Sequence, residues 1–323
     1  MSKSSSTEII IDGRDDQAIR QAVQVLREGG LIGFPTETVY GLAANVENEN
    51  ALRRIFVVKN RPTNHPLIVH IADATELDDW AIDISPAAYE LANQLWPGPL
   101  TMLLRRNKRI STVATGGRDT VAIRIPDHNV ALRLLHEFNG ALAAPSANRF
   151  GKVSPTTAQH VLADLGSDVD LIVDGGPCAV GIESTIIDMT ATAPQLLRPG
   201  GIAIERIESI LNTHIEYSNE NPRAPGMLES HYAPRCLVEL VESSDAAIRR
   251  AQVLRHTSRK VEVLDYSHDV DVFAAKLYEF LRAADRHGCD VVVAVLPSAV
   301  GLGQAIRDRL YKASTTRPNP YSN

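Results

Sequence analysis

The most informative stretch of this chain is residues 33–42, which reads GFPTETVYGL. An apolar strand runs there directly into a polar turn of proline, threonine and glutamate, and KNRP follows at residues 59–62. Lys59 and Arg61 stand one residue apart at the end of a helical stretch, and such a cation pair suits a phosphate or carboxylate ligand. The alternative is a solvated helix end whose cations favour the helix dipole. The stretch therefore predicts an anion pocket, with that alternative open.

Strand-like and helix-like segments alternate around this stretch, which predicts an α/β domain on a large mixed sheet. Strands are predicted at residues 8–11, 31–35, 67–71, 100–104, 121–125, 141–145, 171–174, 185–188 and 195–198, and helices at 15–28, 49–59, 85–96, 129–138 and 156–165. We assign residues 8–210 to this first domain.

The periodicity lapses over residues 211–235, where Pro222, Pro225 and Pro234 break any helix, so we interpret this segment as a linker. Three further strands, each followed by a helix, come after it. They predict a small, Rossmann-like parallel α/β domain over residues 236–323.

Composition narrows the class of protein. The 323 residues are 44% hydrophobic and 22% charged, as in globular proteins, and the net charge of −6 argues against a protein that coats nucleic acid with its whole surface. Cys178, Cys236 and Cys289 are too widely spaced for a disulfide framework or a CxxC zinc site. No apolar run approaches the roughly 20 residues of a membrane span. We expect a cytoplasmic protein with reduced thiols, no membrane association and no metal site of its own.

Three more clusters carry polar groups at strand ends. Arg124 interrupts the apolar strand of DTVAIRIP, so its face lines a cleft or, alternatively, the arginine is an edge residue paired with an acid. APSAN at residues 144–148 combines small residues with hydroxyl and amide donors at the carboxyl end of a strand, where ligands usually bind, although a tight turn without a ligand fits equally well. GIESTIID at residues 181–188 follows a glycine pair but has Ile182 where a phosphate loop needs lysine.

Eight motifs occur in one order: FPTETVYGL, KNRP, PLIVH, WPGPLT, DTVAIRIP, APSAN, GIESTIID and LLRPG. Together they resemble the YrdC-type threonylcarbamoyl-AMP synthases. APGMLESHYAP at residues 224–234 resembles the connector of the long form of that enzyme, and AIRDRLYKA at residues 305–313 is similar to the end of its accessory domain. About 85 residues follow the linker, fewer than we expect of that domain.

The resemblance implies a twisted mixed sheet with a concave basic cleft. It also implies an enzyme that joins L-threonine, bicarbonate or CO2, and ATP with Mg²⁺, into threonylcarbamoyl-AMP and pyrophosphate. A separate transferase then places the threonylcarbamoyl group on tRNA. The residues that would hold ATP are Lys59, Arg61, Thr120, Ser146, Ser154, Arg198 and His231, the first two being catalytic. Those that would hold threonine are Thr36, His70, Arg124, Ala144 and Ser184, and residues 230–232 of the linker would close over the site.

Two other functions compete with this interpretation. A concave basic surface also fits a module that binds double-stranded RNA or a nucleotide without catalysis. Weak RNA binding would indicate such a module. Carbamoyl transfer, as in hydrogenase-maturation proteins with a YrdC-like domain, is the other. Those proteins carry zinc fingers, which the cysteine spacing here excludes.

Overall fold

A computed structural model describes residues 9–218 and 232–314 of the chain. The helices in these residues are α1 (Asp16–Arg27), α2 (Glu49–Lys59), α3 (Leu77–Trp80), α4 (Pro86–Leu95), α5 (Asn129–Phe138), α6 (Ala158–Leu165), α7 (Ile204–Leu211), α8 (Ser244–His256), α9 (Val270–Arg286) and α10 (Leu302–Ser314). No helix in the described ranges has the length and apolar character that a bilayer span requires.

A twisted mixed sheet of twelve strands forms the first domain. The strands are β1 (Ile10–Asp12), β2 (Ile32–Phe34), β3 (Gly41–Asn45), β4 (Ile68–His70), β5 (Ala81–Ile82), β6 (Leu100–Arg106), β7 (Thr120–Arg124), β8 (Leu142–Ala143), β9 (Leu171–Asp174), β10 (Thr185–Asp188), β11 (Gln195–Arg198) and β12 (Glu216–Tyr217). Their order is β1-β9-β2-β3-β8-β4-β7-β6-β10-β11-β12, and β5 pairs with β6. The predicted mixed sheet is confirmed.

Both faces of this sheet are covered by helices. Residues of α1 and α5 pack with β2 on one face, whereas α2, α4 and α6 contribute to a larger apolar cluster on the other. The amphipathic periodicity of these helices buries one side of each, which is why the sequence pattern locates them well. Burial on both faces leaves the strand ends as the place where polar side chains collect.

Capping residues determine how α2 presents the KNRP motif. The side chain of Asn48 accepts a hydrogen bond from the Ala51 amide at the start of the helix, and Asn60 ends it in the left-handed conformation with φ of 52°. Asparagine tolerates this conformation and is a common helix terminator. Lys59 is therefore the last helical residue, and the chain turns before Arg61.

Five of these helices and strands of the first domain were not predicted: β3, β5, β12, α3 and α7. β3 forms a hairpin with β2 and pairs with β8, but its sequence GLAAN is too poor in β-branched residues to indicate a strand. α7 was also missed, and β12 lies inside the segment that was predicted to be a linker, where it extends the large sheet from β11. The domain boundaries stay predictions.

The second domain has a sheet of three strands, β13 (Leu237–Val241), β14 (Val261–Leu264) and β15 (Val291–Val295). All pairs are parallel, as predicted, and β15 lies between the other two. The last strand is central, whereas a Rossmann half has the order 3-2-1, so the Rossmann-like description is not confirmed.

Candidate active site

A partly open cavity lies where the predicted motifs meet. Its lining includes most of the residues predicted to bind ligand. They are Thr36, Thr38, Val39, Gly41, Arg61, Ile68, His70, Arg124, Ala144, Pro145, Ser146, Glu183, Ser184, Arg198 and Tyr232. Three of these side chains are arginines, so the cavity suits an anion.

Parallel pairing of β4 with β7 assembles one wall. His70 and Arg124 are register partners at the carboxyl ends of the two strands. Val69 pairs with Ala143 of β8, so Ala144 emerges beside them. The carboxyl ends of strands are where α/β proteins usually bind ligands, and here they bring three predicted threonine-binding residues together.

Arg124 is held from three directions. Its Nη1 donates to Thr38 Oγ1 at 2.8 Å, its Nε donates to the Gly98 carbonyl at 3.2 Å, and its Nη2 lies 2.5 Å from Glu37 Oε1. Arg124 lines the cavity, as the first interpretation has it, and it is also paired with an acid, but the alternative of an edge residue is wrong because β7 lies between β4 and β6. Only 3% of Arg124 is exposed, so the guanidinium is already oriented before a ligand arrives.

The hydroxyl of Thr36 shapes the turn after β2. It donates to the Val39 carbonyl at 2.7 Å, lies 2.9 Å from Thr38 Oγ1, and accepts from the amides of Thr38 and Val39 at 3.2 Å each. A hydroxyl has one proton and two lone pairs, so these contacts saturate it. Thr36 lines the cavity as predicted, but its hydroxyl is used by the turn.

His70 is buried beside Phe34, with an edge-on ring contact at 5.7 Å. Burial, with a smaller contribution from the charge of Arg124, lowers the pKa of His70 to about 3. The imidazole is therefore neutral near pH 7, and its Nδ1 has no hydrogen-bond partner among the described residues. A neutral ring can lie next to a substrate ammonium group without repelling it.

Arg61 and Arg198 face the cavity from other elements. Arg61 Nη2 donates to the Pro66 carbonyl at 3.0 Å, and its guanidinium lies over the Phe150 ring, while burial lowers its pKa to about 10. Arg198 donates through Nε and Nη2 to the Ser184 carbonyl, at 3.1 and 2.8 Å. Both arginines stay charged near pH 7 and can meet a polyanion.

Ser146 and Ser184 complete the predicted residues in the lining. Ser184 Oγ lies 2.7 Å from Thr101 Oγ1 of the neighbouring strand. Ser146 is half-buried, and its backbone pairs with Gly41 of β3. The unpredicted strand β3 thus holds the APSAN loop against the cavity.

Lys59 lies behind the cavity lining. It is 1% exposed, and its Nζ donates to the carbonyls of Ser146 and Asn148. Burial lowers its pKa well below the usual value. The solvated helix end is therefore excluded, and in this structure the ammonium supports the APSAN loop.

Two other predicted ATP residues also lie outside the lining. Ser154 is fully buried and donates to Glu183 Oε1 at 2.7 Å. Thr120 begins β7, four residues and about 13 Å of strand rise from Arg124. His231 lies outside the described residues, as does most of the segment predicted to close over the site. These ATP assignments stay predictions.

Sequence reasoning missed Glu37 and Glu183, which are only 5% and 6% exposed. Glu37 pairs with Arg124, and Glu183 binds Ser154 from within the cavity wall. Both residues could have been recognised from the sequence, because each is an acidic residue inside a mostly uncharged motif and a buried charge needs a partner. In the described ranges, no group of three or more His, Cys, Asp or Glu could hold a metal ion.

Comparison with known proteins agrees with this geometry. The profile of the Sua5, YciO and YrdC proteins, described as "Telomere recombination", matches residues 24–200. The chain belongs to this family. A second profile, described as "Threonylcarbamoyl-AMP synthase, C-terminal domain", matches residues 202–315, so the predicted resemblance to the long form is confirmed.

Relatives match over nearly the whole chain. A threonylcarbamoyl-AMP synthase of Pyrococcus abyssi is 42% identical over 96% of this chain and 98% of its own, and one of Bacillus subtilis is 41% identical over 94% of both. The expectation of an unusually short C-terminal domain stays a prediction. The crystal structure of the Pyrococcus abyssi protein complexed with L-threonine has a TM-score of 0.89 to this fold, at 42% identity, and covers 95% of this chain and 97% of its own.

Proposed function

We propose that this enzyme joins L-threonine, bicarbonate or CO2, and ATP into threonylcarbamoyl-AMP and pyrophosphate. Relatives that match nearly end to end carry the name threonylcarbamoyl-AMP synthase, and one of them has been crystallised with L-threonine. Both findings support an adenylyl-transferring enzyme that uses threonine and ATP. The bicarbonate step is the part of this proposal that rests on the chemistry of the product.

One observation carries the proposal: a single cavity has Arg124, His70 and Ser184 in its lining together with Arg61 and Arg198. The reaction needs two anionic partners in contact, a carbamate and the α-phosphate of ATP. A threonine amine and CO2 already give an anionic nucleophile, so the protein must chiefly align it and neutralise charge. Fixed arginines perform both tasks.

We assign threonine to the Arg124 side of the cavity. The oriented guanidinium suits the threonine carboxylate, and the neutral His70 leaves the amine free of a repelling charge. We assign Ser184 to the side-chain hydroxyl of threonine, because Thr36 is saturated within its turn, whereas Ser184 Oγ contacts Thr101 and accepts from Arg198 Nη2 and so keeps one position for a further bond. A site built to bond that hydroxyl should reject analogues that lack it.

We assign the triphosphate to Arg61 and Arg198, with Ser146 beside them. Mg²⁺ fits here as an ion that arrives with ATP, because an arginine already balances the charge of each of the two carboxylates of the site. Glu37 is paired with Arg124, and both oxygens of Glu183 accept hydrogen bonds. Magnesium commonly binds through substrate phosphates and water.

Burial of the cations disfavours the binding-module alternative. Arg61, Arg124 and Arg198 are 8%, 3% and 3% exposed, so a duplex could not reach them. Double-stranded RNA is bound through exposed contacts to phosphates and 2′-hydroxyls. The transfer to tRNA by a second enzyme and the cytoplasmic location stay predictions.

The test is pyrophosphate release with ATP and bicarbonate, comparing threonine with serine and valine. We expect release that depends on both threonine and bicarbonate, and weak activity with valine, which lacks the hydroxyl. Labelled bicarbonate should enter the product with the stoichiometry of the pyrophosphate. Salt-sensitive RNA binding without any pyrophosphate would restore the binding-module alternative.

A further inference from the structure

Glu183 lines the cavity, yet most of its bonds lead to the second domain. Its Oε2 accepts from Arg309 Nε and from the Tyr278 hydroxyl, each at 2.8 Å, while Oε1 accepts from Ser154 at 2.7 Å. Arg309 belongs to α10 and Tyr278 to α9. Two side chains of the second domain therefore bind a carboxylate in the wall of the active site.

The contact between Arg309 and Glu183 is buried. The exposed fractions of the two side chains are 0% and 8%, and Tyr278 is fully buried. Burial alone would raise the pKa of Glu183, but the charges of Arg309 and Arg198 lower it to about 2. A buried carboxylate is costly without its cation, so the position of Glu183 depends on the docked second domain.

Backbone packing adds a second constraint on the same loop. Gly181 has φ of 77°, and a Cβ placed there would lie 2.6 Å from the Ala274 carbonyl oxygen of α9. Val39 and Ile182 of the first domain also share one apolar cluster with Phe273 and Tyr278. Helix α9 therefore lies directly against the loop that leads into the cavity.

Displacement of Glu183 would reach the predicted ligand contacts. Its carbonyl accepts from the Gly201 amide at 3.0 Å, and the next residue, Ser184, accepts from Arg198 through its carbonyl and its hydroxyl. Ser154 is also bonded to its carboxylate. The loop thus connects the second domain to groups assigned to ATP and to threonine.

We propose that Arg309 and Tyr278 are positioning residues, which hold Glu183 and thereby orient Ser184 and Arg198 for substrate binding. The C-terminal domain is then part of the active site, in addition to any role in closing it. This inference rests on the proposed function, because it concerns the same cavity.

The test compares Tyr278→Phe and Arg309→Lys in the full-length protein. Tyr278→Phe removes one hydroxyl and keeps the ring, whereas Arg309→Lys keeps the charge and removes the guanidinium fork. The matched control is Arg307→Lys on the same helix, because Arg307 bonds to Glu242 and to the Pro297 carbonyl within its own domain. Steady-state pyrophosphate release gives kcat and KM for ATP and threonine, and thermal unfolding reports stability.

We expect the KM for ATP to rise about fivefold in Tyr278→Phe and about tenfold or more in Arg309→Lys. Increases of this size are expected when one hydrogen bond to a charged group is lost. The control should stay within about twofold of the original protein. The unfolding midpoint of Tyr278→Phe should stay close to that of the original. A titration with a non-hydrolysable ATP analogue should show the same ranking.

Two results separate the possible failures. If both variants have the kinetic constants of the control, with or without a lower unfolding midpoint, the bonds from Arg309 and Tyr278 to Glu183 only hold the two domains together. The inference is then overturned. If the original protein releases no pyrophosphate, the proposed function fails. The analogue titration then still decides whether Arg309 and Tyr278 position the nucleotide site.

Discussion

Replacement of Arg124 by methionine should weaken the binding of threonine and leave the binding of ATP nearly unchanged. The guanidinium lines the cavity with fixed orientation, and we assign it to the carboxylate of threonine. Two charge-assisted hydrogen bonds to that carboxylate are worth about 3 kcal/mol in total, after allowing for competing water. The affinity for threonine should therefore fall roughly 100-fold, since 1.4 kcal/mol corresponds to tenfold.

The same substitution also leaves Glu37 without its cation. The carboxylate is 2.5 Å from Arg124 and its side chain is 6% exposed, so its isolation should lower the free energy of unfolding by about 3–5 kcal/mol. The double variant Glu37→Gln with Arg124→Met removes both charges and should recover much of this loss. It should not recover threonine affinity.

Calorimetric titration with threonine, and separately with a non-hydrolysable ATP analogue, is the assay. The control is Arg105→Met, an exposed arginine of the neighbouring strand β6, which should leave both affinities unchanged. The affinity for the nucleotide should change by less than about threefold in the Arg124 variants. An equal loss of affinity for both ligands would refute the assignment of Arg124 to threonine.

Three further predictions concern stability. Lys59→Met should lower the free energy of unfolding in urea by about 2 kcal/mol or more, because two loop carbonyls lose their donor; an unchanged value would contradict this. The pKa of His70 is about 3 in the folded protein, against 6.5 for an ordinary histidine, so the unfolded chain takes up the proton first as the pH falls. The contribution of the buried, neutral His70 to stability is therefore complete above pH 6.5 and is lost as the pH falls towards 3. His70→Gln should thus reduce the stability lost between pH 7 and pH 5 by about 2 kcal/mol, and parallel curves for both proteins would rule this out. Gly181→Ala should destabilise far more than Gly176→Ala, since both residues have positive φ but only the former meets another backbone; equal midpoints in thermal unfolding would be the contrary result.

Local structure was largely predictable because its causes act over a few residues. The bounds of α2 and α5 were predicted without error, and those of the other predicted helices within two residues, since apolar periodicity acts within one or two turns. Strand β3 escaped because its small residues indicate no strand. Its formation depends on pairing with β2 and β8.

The site, too, was predictable in part from the sequence and in part only from the tertiary structure. The sequence alone determined the order of motifs, the positions of Arg124 and Ser146 at strand ends, and the family. Tertiary structure decided which charges are paired: Arg124 meets the Glu37–Thr38 turn, and Arg309 crosses 126 residues to reach Glu183. The physical reason is that a buried charge is stable only where the fold places a partner within bonding distance, and no local pattern records that distance.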